Sequence, residues 1–270
     1  FAFAVWEHTA QRLFLARDRI GVKPLFYAEI PGGLVFGSEI KGLLAHPHAR
    51  RSLNERWLAH WLCMEYLPDE ETLFEGVRKL PAGHWLRWRN GRAECGRWFV
   101  PRFAPDAGRS LEESAEAIES VAAHAIADVD VGCFLSAGMD SSLVAREAAR
   151  IMEARTFTIG WGEGRFSELE AAATFARATG LPNEGRILDA EQFFASVPAV
   201  QYAMDEPLPN PSAVPLYHLC AMAAESAKVV LSGEGADELF GGYRIYHEPS
   251  SLAGYQKLPR FLRRAAAAVA

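Results

Sequence analysis

Hydrophobic and polar positions change their rhythm near residue 105, and that change divides the chain. From Phe1 to Phe99 apolar runs are short and mostly alternating, the pattern of half-buried strands. Phe1–Trp6 and Arg12–Ala16 read as strands, and Leu25–Ile30 and Leu34–Gly37 flank the hairpin signal Pro31-Gly-Gly33. His84–Trp88 and Cys95–Phe99 flank Asn90-Gly91, which supplies the positive φ of a type I′ turn. Short helices fit Glu39–Ala45 and Leu53–Glu65. The stretch Phe103–Arg109 mixes proline, glycine and charge, so the domain boundary is placed there, with 1–104 before it and 105–270 after.

Beyond the boundary helical and strand-like runs alternate. Leu111–Ala127 is helical in composition, Val129–Leu135 is a strand and Ser141–Glu153 a helix. Thr156–Trp161 is a strand, and Ser167–Thr179 is a helix stopped by Gly180 with Pro182 beyond it. Arg186–Leu188 is a short strand, Ala213–Ala227 a helix and Lys228–Leu231 a closing strand. Strands separated by helices predict an α/β fold with a parallel sheet covered on both faces. Ligands of such sheets bind beyond the carboxyl ends of the strands.

Two glycine-containing loops follow strands at that end. In the first, Val131–Leu135 runs into Ser136-Ala-Gly-Met-Asp-Ser-Ser142 and then a helical run. Strand, tight loop and helix together aim backbone N–H groups and a helix dipole at a phosphate. The serine hydroxyls add donors, and Asp140 adds a carboxylate suited to a phosphate-bound magnesium ion. With no lysine in the loop, it is not the phosphate loop of kinases and GTPases. The second loop is Ser232-Gly-Glu-Gly-Ala-Asp-Glu-Leu-Phe-Gly-Gly-Tyr243, after the strand Lys228–Leu231.

The first loop resembles the pyrophosphate-binding Ser-Gly-Gly-x-Asp-Ser-Ser loop of ATP pyrophosphatases. Both loops in order, with Asp205-Glu-Pro207 between them, resemble glutamine-hydrolysing asparagine synthetases. Phe1–Trp6, Arg17-Asp-Arg-Ile-Gly-Val-Lys-Pro-Leu25 and Phe36-Gly-Ser-Glu-Ile-Lys-Gly-Leu43 are similar to the later part of that family's glutaminase domain. The resemblance runs from residue 1 to about Tyr246. It implies an ATP-pyrophosphatase domain at 105–270, preceded at 1–104 by the mainly antiparallel later part of an N-terminal-nucleophile glutaminase domain.

The resemblance also implies a chemistry. An aspartate β-carboxylate is activated by ATP as β-aspartyl-AMP with loss of pyrophosphate, and ammonia from glutamine then attacks. Asp140 and Asp237 fall at the positions of the Mg²⁺ carboxylates. Alone, each could instead be a helix cap. Glu234 falls at the position of the residue that takes a proton from the attacking ammonia; without the resemblance it would be a solvated loop glutamate. Ser136, Gly138, Ser141 and Ser142 are assigned to the phosphates, Leu135 and Ile159 to adenosine, and Ser232 and Gly233 to further nucleotide contacts. For Leu135 and Ile159, plain core packing explains the residue type equally well.

Three features depart from the family pattern. Ala137 stands where the pyrophosphate loop has its first glycine. The glutaminase nucleophile of the family is an amino-terminal cysteine, and Cys63, Cys95, Cys133 and Cys220 are all internal. The family's later phosphate-stabilising lysine would fall beyond Ala270. The chain, opening on Phe1 and ending in an uncapped alanine-rich pattern, reads as an internal fragment. Two alternatives stand beside the synthetase. One is a related adenylating enzyme with another carboxylate, β-lactam synthetase-like or a natural-product amidotransferase. The other is a nucleotide-binding module without catalysis.

Composition sets the remaining bounds. The 270 residues carry a net charge of −6, which argues against general affinity for nucleic acid or anionic membranes. The four scattered cysteines read as thiols of a reducing, cytoplasmic compartment rather than a disulfide frame or zinc site. The resemblance implies aspartate and glutamine or ammonia as partners, and the charge and composition imply no nucleic acid and no membrane; a homodimer is the assembly to test. Trp57, Trp61, Trp85, Trp88 and Trp98 fall at core spacings, and Glu39 is read as structural.

Overall fold

The computed structural model describes residues 1–68, 70–106, 108–122, 129–136, 138–162, 167–207, 210–247, 253–260 and 262–263. The chain forms two compact units. The first comprises Phe1–Gly108 with Phe194–Val214, and the second Arg109–Phe193 with Pro215–Ala270.

The first unit holds two antiparallel sheets. Strands β1 (Ala2–Glu7), β2 (Arg12–Arg17), β6 (His84–Arg89) and β7 (Arg92–Arg97) form one, in the order β1-β2-β6-β7. Strands β3 (Phe26–Ile30), β4 (Gly33–Gly37) and β5 (Val77–Lys79) form the other, in the order β4-β3-β5. Strand alternation puts Leu13, Leu15 and Leu86 on one face of the first sheet, where they pack with Leu25, Tyr27 and Leu80. The predicted β6–β7 hairpin is present, with Asn90 at φ 51° and Gly91 at φ 72°. A two-residue turn lets pairing resume at once, Arg89 opposite Arg92, so β7 begins earlier than the expected Cys95. Helices α1 (Ile40–Leu44) and α2 (Glu55–Met64) match their predicted positions. None of the five tryptophans expected in the core is fully buried: Trp88 lines it, Trp85 stacks on Phe14 on the outer face, and Trp98 is 41% exposed.

The second unit carries α3 (Leu111–Ala122), β8 (Val131–Phe134), α4 (Met139–Ile151), β9 (Arg155–Gly160), α5 (Leu169–Thr179) and β10 (Asn183–Ile187). Helix α6 (Ala190–Met204) passes into the first unit at Phe194; α7 (Ala213–Ala223), β11 (Val229–Leu231) and α8 (Ala236–Phe240) follow. All three ladders are parallel, in the order β10-β9-β8-β11. The sheet predicted from the alternating pattern is therefore present. Gly180 ends α5 in the left-handed conformation, φ 73°.

Elements β10 and α6 also depart from expectation. Strand β10 starts at Asn183 rather than Arg186 because it pairs with β9 from Thr156 onward at the sheet edge, where a mostly exposed strand needs no apolar run. Helix α6 was not predicted, since Pro198 interrupts its pattern. Its start was nevertheless encoded: Asp189 accepts the Gln192 N–H at 2.8 Å, and Gln192 Oε1 accepts the Asp189 N–H at 3.2 Å, a capping box.

Candidate functional site

Strand β8 has β9 and then β10 on one side and β11 on the other. The direction of strand addition reverses between β8 and β11, and such a switch point opens a crevice at the carboxyl ends of the strands. Both glycine loops leave the sheet there.

The first loop is anchored before it turns. The Leu135 N–H donates to the Phe157 carbonyl at 2.9 Å, and the Leu135 carbonyl accepts the Thr158 hydroxyl at 2.9 Å. Leu135 itself is 3% exposed and packs with Cys133, Ala145 and Ala148. The Ser136 and Ser141 hydroxyls then lie 2.8 Å apart, the Ser136 N–H donates to Ser141 Oγ, and the Gly138 N–H donates to Ser136 Oγ. These serines therefore tie the loop around the first turn of α4. Ala137 lies outside the described residues. The first intrahelical bond runs from the Ser142 N–H to the Gly138 carbonyl, which leaves the N–H groups of Met139, Asp140 and Ser141 without intrahelical acceptors. Asp140 is exposed at this helix start.

The second loop seats against the first. A Cβ on Gly233 would lie 2.8 Å from the Ser141 nitrogen and 2.9 Å from Asp140 Cβ, closer than real side chains approach. Only glycine lets the two backbones meet this way. The Glu234 N–H donates to Ser232 Oγ at 3.3 Å, and both side chains face outward. Gly235, at φ 90°, then turns the chain into α8, whose first turn holds Asp237. The Gly242 N–H returns to the Asp237 carbonyl at 3.0 Å, and a Cβ on Gly242 would collide with the Asp237 carboxylate. Beyond it the Tyr243 hydroxyl donates to Glu238 at 2.9 Å, which pushes the phenol pKa up to about 12.

Neither acidic residue caps its helix. The N-cap positions of α4 and α8 are Gly138 and Gly235, and neither helix has a side-chain cap. The bland explanation for Asp140 and Asp237 therefore loses its main support. Among the described residues no three His, Cys, Asp or Glu side chains converge as a metal site. Two carboxylates with phosphate oxygens and water completing an octahedron is a donor set that suits Mg²⁺. Ile159 lies near the end of β9, half-buried against Phe157, Met222 and Ala223. The structure thus gathers Ser136, Gly138, Asp140, Ser141, Ser142, Ser232, Gly233, Glu234 and Asp237 at the ends of two adjacent strands, with Leu135 and Ile159 beneath as packing residues.

One supporting residue escaped the sequence reading. Thr158 is 1% exposed, and besides holding Leu135 its hydroxyl accepts Asn183 Nδ2 at 3.1 Å. A buried threonine in a strand gives no signal of its own, because its residue type suits any strand.

Residues 116–269 match the asparagine synthase family, and residues 1–99 match the glutamine amidotransferase domain. The chain belongs to the asparagine synthase family. Members similar to it include a Mycobacterium tuberculosis protein named "Putative asparagine synthetase (glutamine-hydrolyzing)", 42% identical over 98% of this chain and 42% of its own length. Asparagine synthetase (glutamine-hydrolyzing) 1 of Bacillus subtilis is 34% identical over 98% of this chain and 43% of its own. The amidase chry2 of Gibberella zeae is 31% identical over 93% and 40%. The chain spans about two fifths of the length of these curated relatives. Among the described residues no helix is long and apolar enough to cross a membrane.

Proposed function

We propose that this chain supplies the ATP-using centre of an enzyme that converts aspartate to asparagine through β-aspartyl-AMP, with ammonia drawn from glutamine. The observation that carries the reading is the seating of Gly233 on Asp140 and Ser141, which brings both glycine loops to one crevice at the switch point. Residues 1–104 are assigned to the glutaminase part and 105–270 to the synthetase part, in the cytoplasm.

A carboxylate is a poor electrophile at neutral pH, so amide formation needs it activated first. Its oxygen attacks the α-phosphorus of ATP, the bond from that phosphorus to the bridging oxygen breaks, and pyrophosphate leaves. The free N–H groups at the start of α4 and the loop 136–142 receive the phosphates. Leu135 and Ile159 support adenosine, while Ser232 and Gly233 complete the nucleotide contacts. Asp140 and Asp237 would hold Mg²⁺, which supplies charge neutralisation for the leaving pyrophosphate. Ammonia then adds to the acyl carbon, and the adduct carries a positive nitrogen. Glu234, exposed between two glycines, takes the proton as AMP departs with the electron pair of the acyl–oxygen bond.

Pyrophosphate release from Mg-ATP by the protein at its natural length tests the reading. Release is expected only with aspartate present, with asparagine as product once ammonia is added. Release that ignores aspartate sinks the assignment of substrate. A second reading, in which another carboxylate is amidated, is favoured by the likeness to the fungal amidase. In that case pyrophosphate release would require a carboxylate other than aspartate.

A further inference from the structure

Among the described residues Asp205 is one of four non-glycine residues in the left-handed region, at φ 63°. This conformation is costly for a residue with a Cβ, so the surroundings must hold it. They do so through its carboxylate, 8% exposed. Oδ2 accepts the Ile40 N–H at 2.7 Å, and Oδ1 accepts the Lys41 N–H at 3.1 Å and Lys41 Nζ at 2.9 Å. Lys41 Nζ also donates to the Ala203 carbonyl at 3.2 Å and pairs with Glu39 at 3.1 Å. Beside it Glu206 Oε1 accepts the Leu73 N–H at 2.6 Å. Charge-assisted bonds of this kind are about twice as strong as neutral ones.

The donors and acceptors come from different parts of the chain. Ile40, Lys41 and Leu73 lie in the stretch matching the glutamine amidotransferase domain, whereas Asp205 and Glu206 lie in the stretch matching asparagine synthase. All of them nonetheless belong to the first compact unit. The chain reaches this clamp from β10 through α6 and leaves it through α7. Met222 and Ala223, near the end of α7, are buried with Phe157, and the chain continues through β11 into the Ser232 loop. For stability alone a buried ion pair is a weak device; its best-attested use is to fix one arrangement over another.

We infer that Asp205 and Lys41 are positioning residues that keep glutamine hydrolysis in step with amide formation, by holding the root of the segment that leads to the Ser232 loop. This inference rests on the synthetase reading above. The substitution Asp205→Gly removes the carboxylate while relieving the left-handed backbone, so the chain should still fold. Lys41→Met keeps the stem and removes the charge. In the protein at its natural length, both variants are expected to retain ammonia-dependent synthesis. Glutamate formed per amide made from glutamine should rise about fivefold or more, the range of ordinary coupling between sites.

Hydrogen exchange gives a readout independent of the reaction. Both variants should speed exchange at Ile40 and Lys41 and also across residues 229–237. A faster exchange confined to residues 39–41 and 72–74, or an unchanged glutamate-to-amide ratio, would overturn the inference. If the wild-type protein releases no pyrophosphate with aspartate, the synthetase reading falls instead. The exchange pattern then still decides whether the clamp reaches the Ser232 loop.

Discussion

Gly233 is the residue at which the candidate site is most sharply defined. Gly233→Ala would force a Cβ to 2.8 Å from the Ser141 nitrogen, and overpacking against backbone costs about 1–3 kcal/mol. Gly235→Ala is the control: nothing lies within 4 Å of its added carbon, and only its φ of 90° resists the change. Denaturant melts and ATP titration calorimetry should show both variants destabilised, with nucleotide affinity lost mainly in Gly233→Ala. With Glu234 proposed to take the proton at the second step, Glu234→Gln should leave aspartate-dependent exchange of pyrophosphate into ATP largely intact. Asparagine formation should fall by about 10²–10⁴-fold, the usual worth of a positioned base. Equal loss of both reactions would remove Glu234 from its assigned role. These side chains stood out in the sequence through the resemblance of both loops to the asparagine synthetases; taken alone, the same residue types fit a helix cap or a solvated loop equally well. What was not legible is how the serines are employed: Ser136 and Ser141 turn their hydroxyls on each other and on Gly138.

Among the elements, β8 and β9 set the stage on which the loops act. Thr158 joins them below the loop, so Thr158→Val leaves the Leu135 carbonyl and the Asn183 amide each short of a buried partner. A cost of about 1–3 kcal/mol is expected, read as a lower urea midpoint together with weaker ATP binding. A variant of unchanged stability would show that water replaces the hydroxyl without loss. Periodicity located β8, α4, β9 and α5 because each has a buried face of sufficient length. It located β10 poorly because an exposed edge strand has no apolar face to repeat. It passed over α6 because Pro198 is normally a helix breaker, although the Asp189–Gln192 capping box announced the start. The three-residue β5 is defined by its pairing with β3, and pairing is invisible in a local pattern.

For the molecule as a whole, sensitivity to acid has an identifiable source in the first unit. Asp18 is 8% exposed, and burial works against its charge, yet the N–H groups of Lys23 and Val22, each at 2.9 Å, outweigh that. Its carboxyl is held well below the usual carboxylate range. A depressed folded-state pKa contributes stability above the unfolded value of about 3.9 and loses it as pH falls further. Urea midpoints followed from pH 6 to pH 2 should therefore decline less steeply in Asp18→Asn than in the wild type. Parallel curves would mean that other carboxylates govern acid unfolding. Net charge and composition could not reveal this group, because its environment is made by a loop, Arg17–Lys23, whose fold depends on the strands around it.

The return of Phe194–Val214 to the first unit bears on how relatives of this protein can be recombined. A hybrid joined near residue 104 would set a borrowed α1 against a native Asp205, although the two were never selected together. Residues 39–41 and 72–74 would then act as a compatibility code between parents. Hybrids that also carry the donor's 194–214 should cross where simple halves do not.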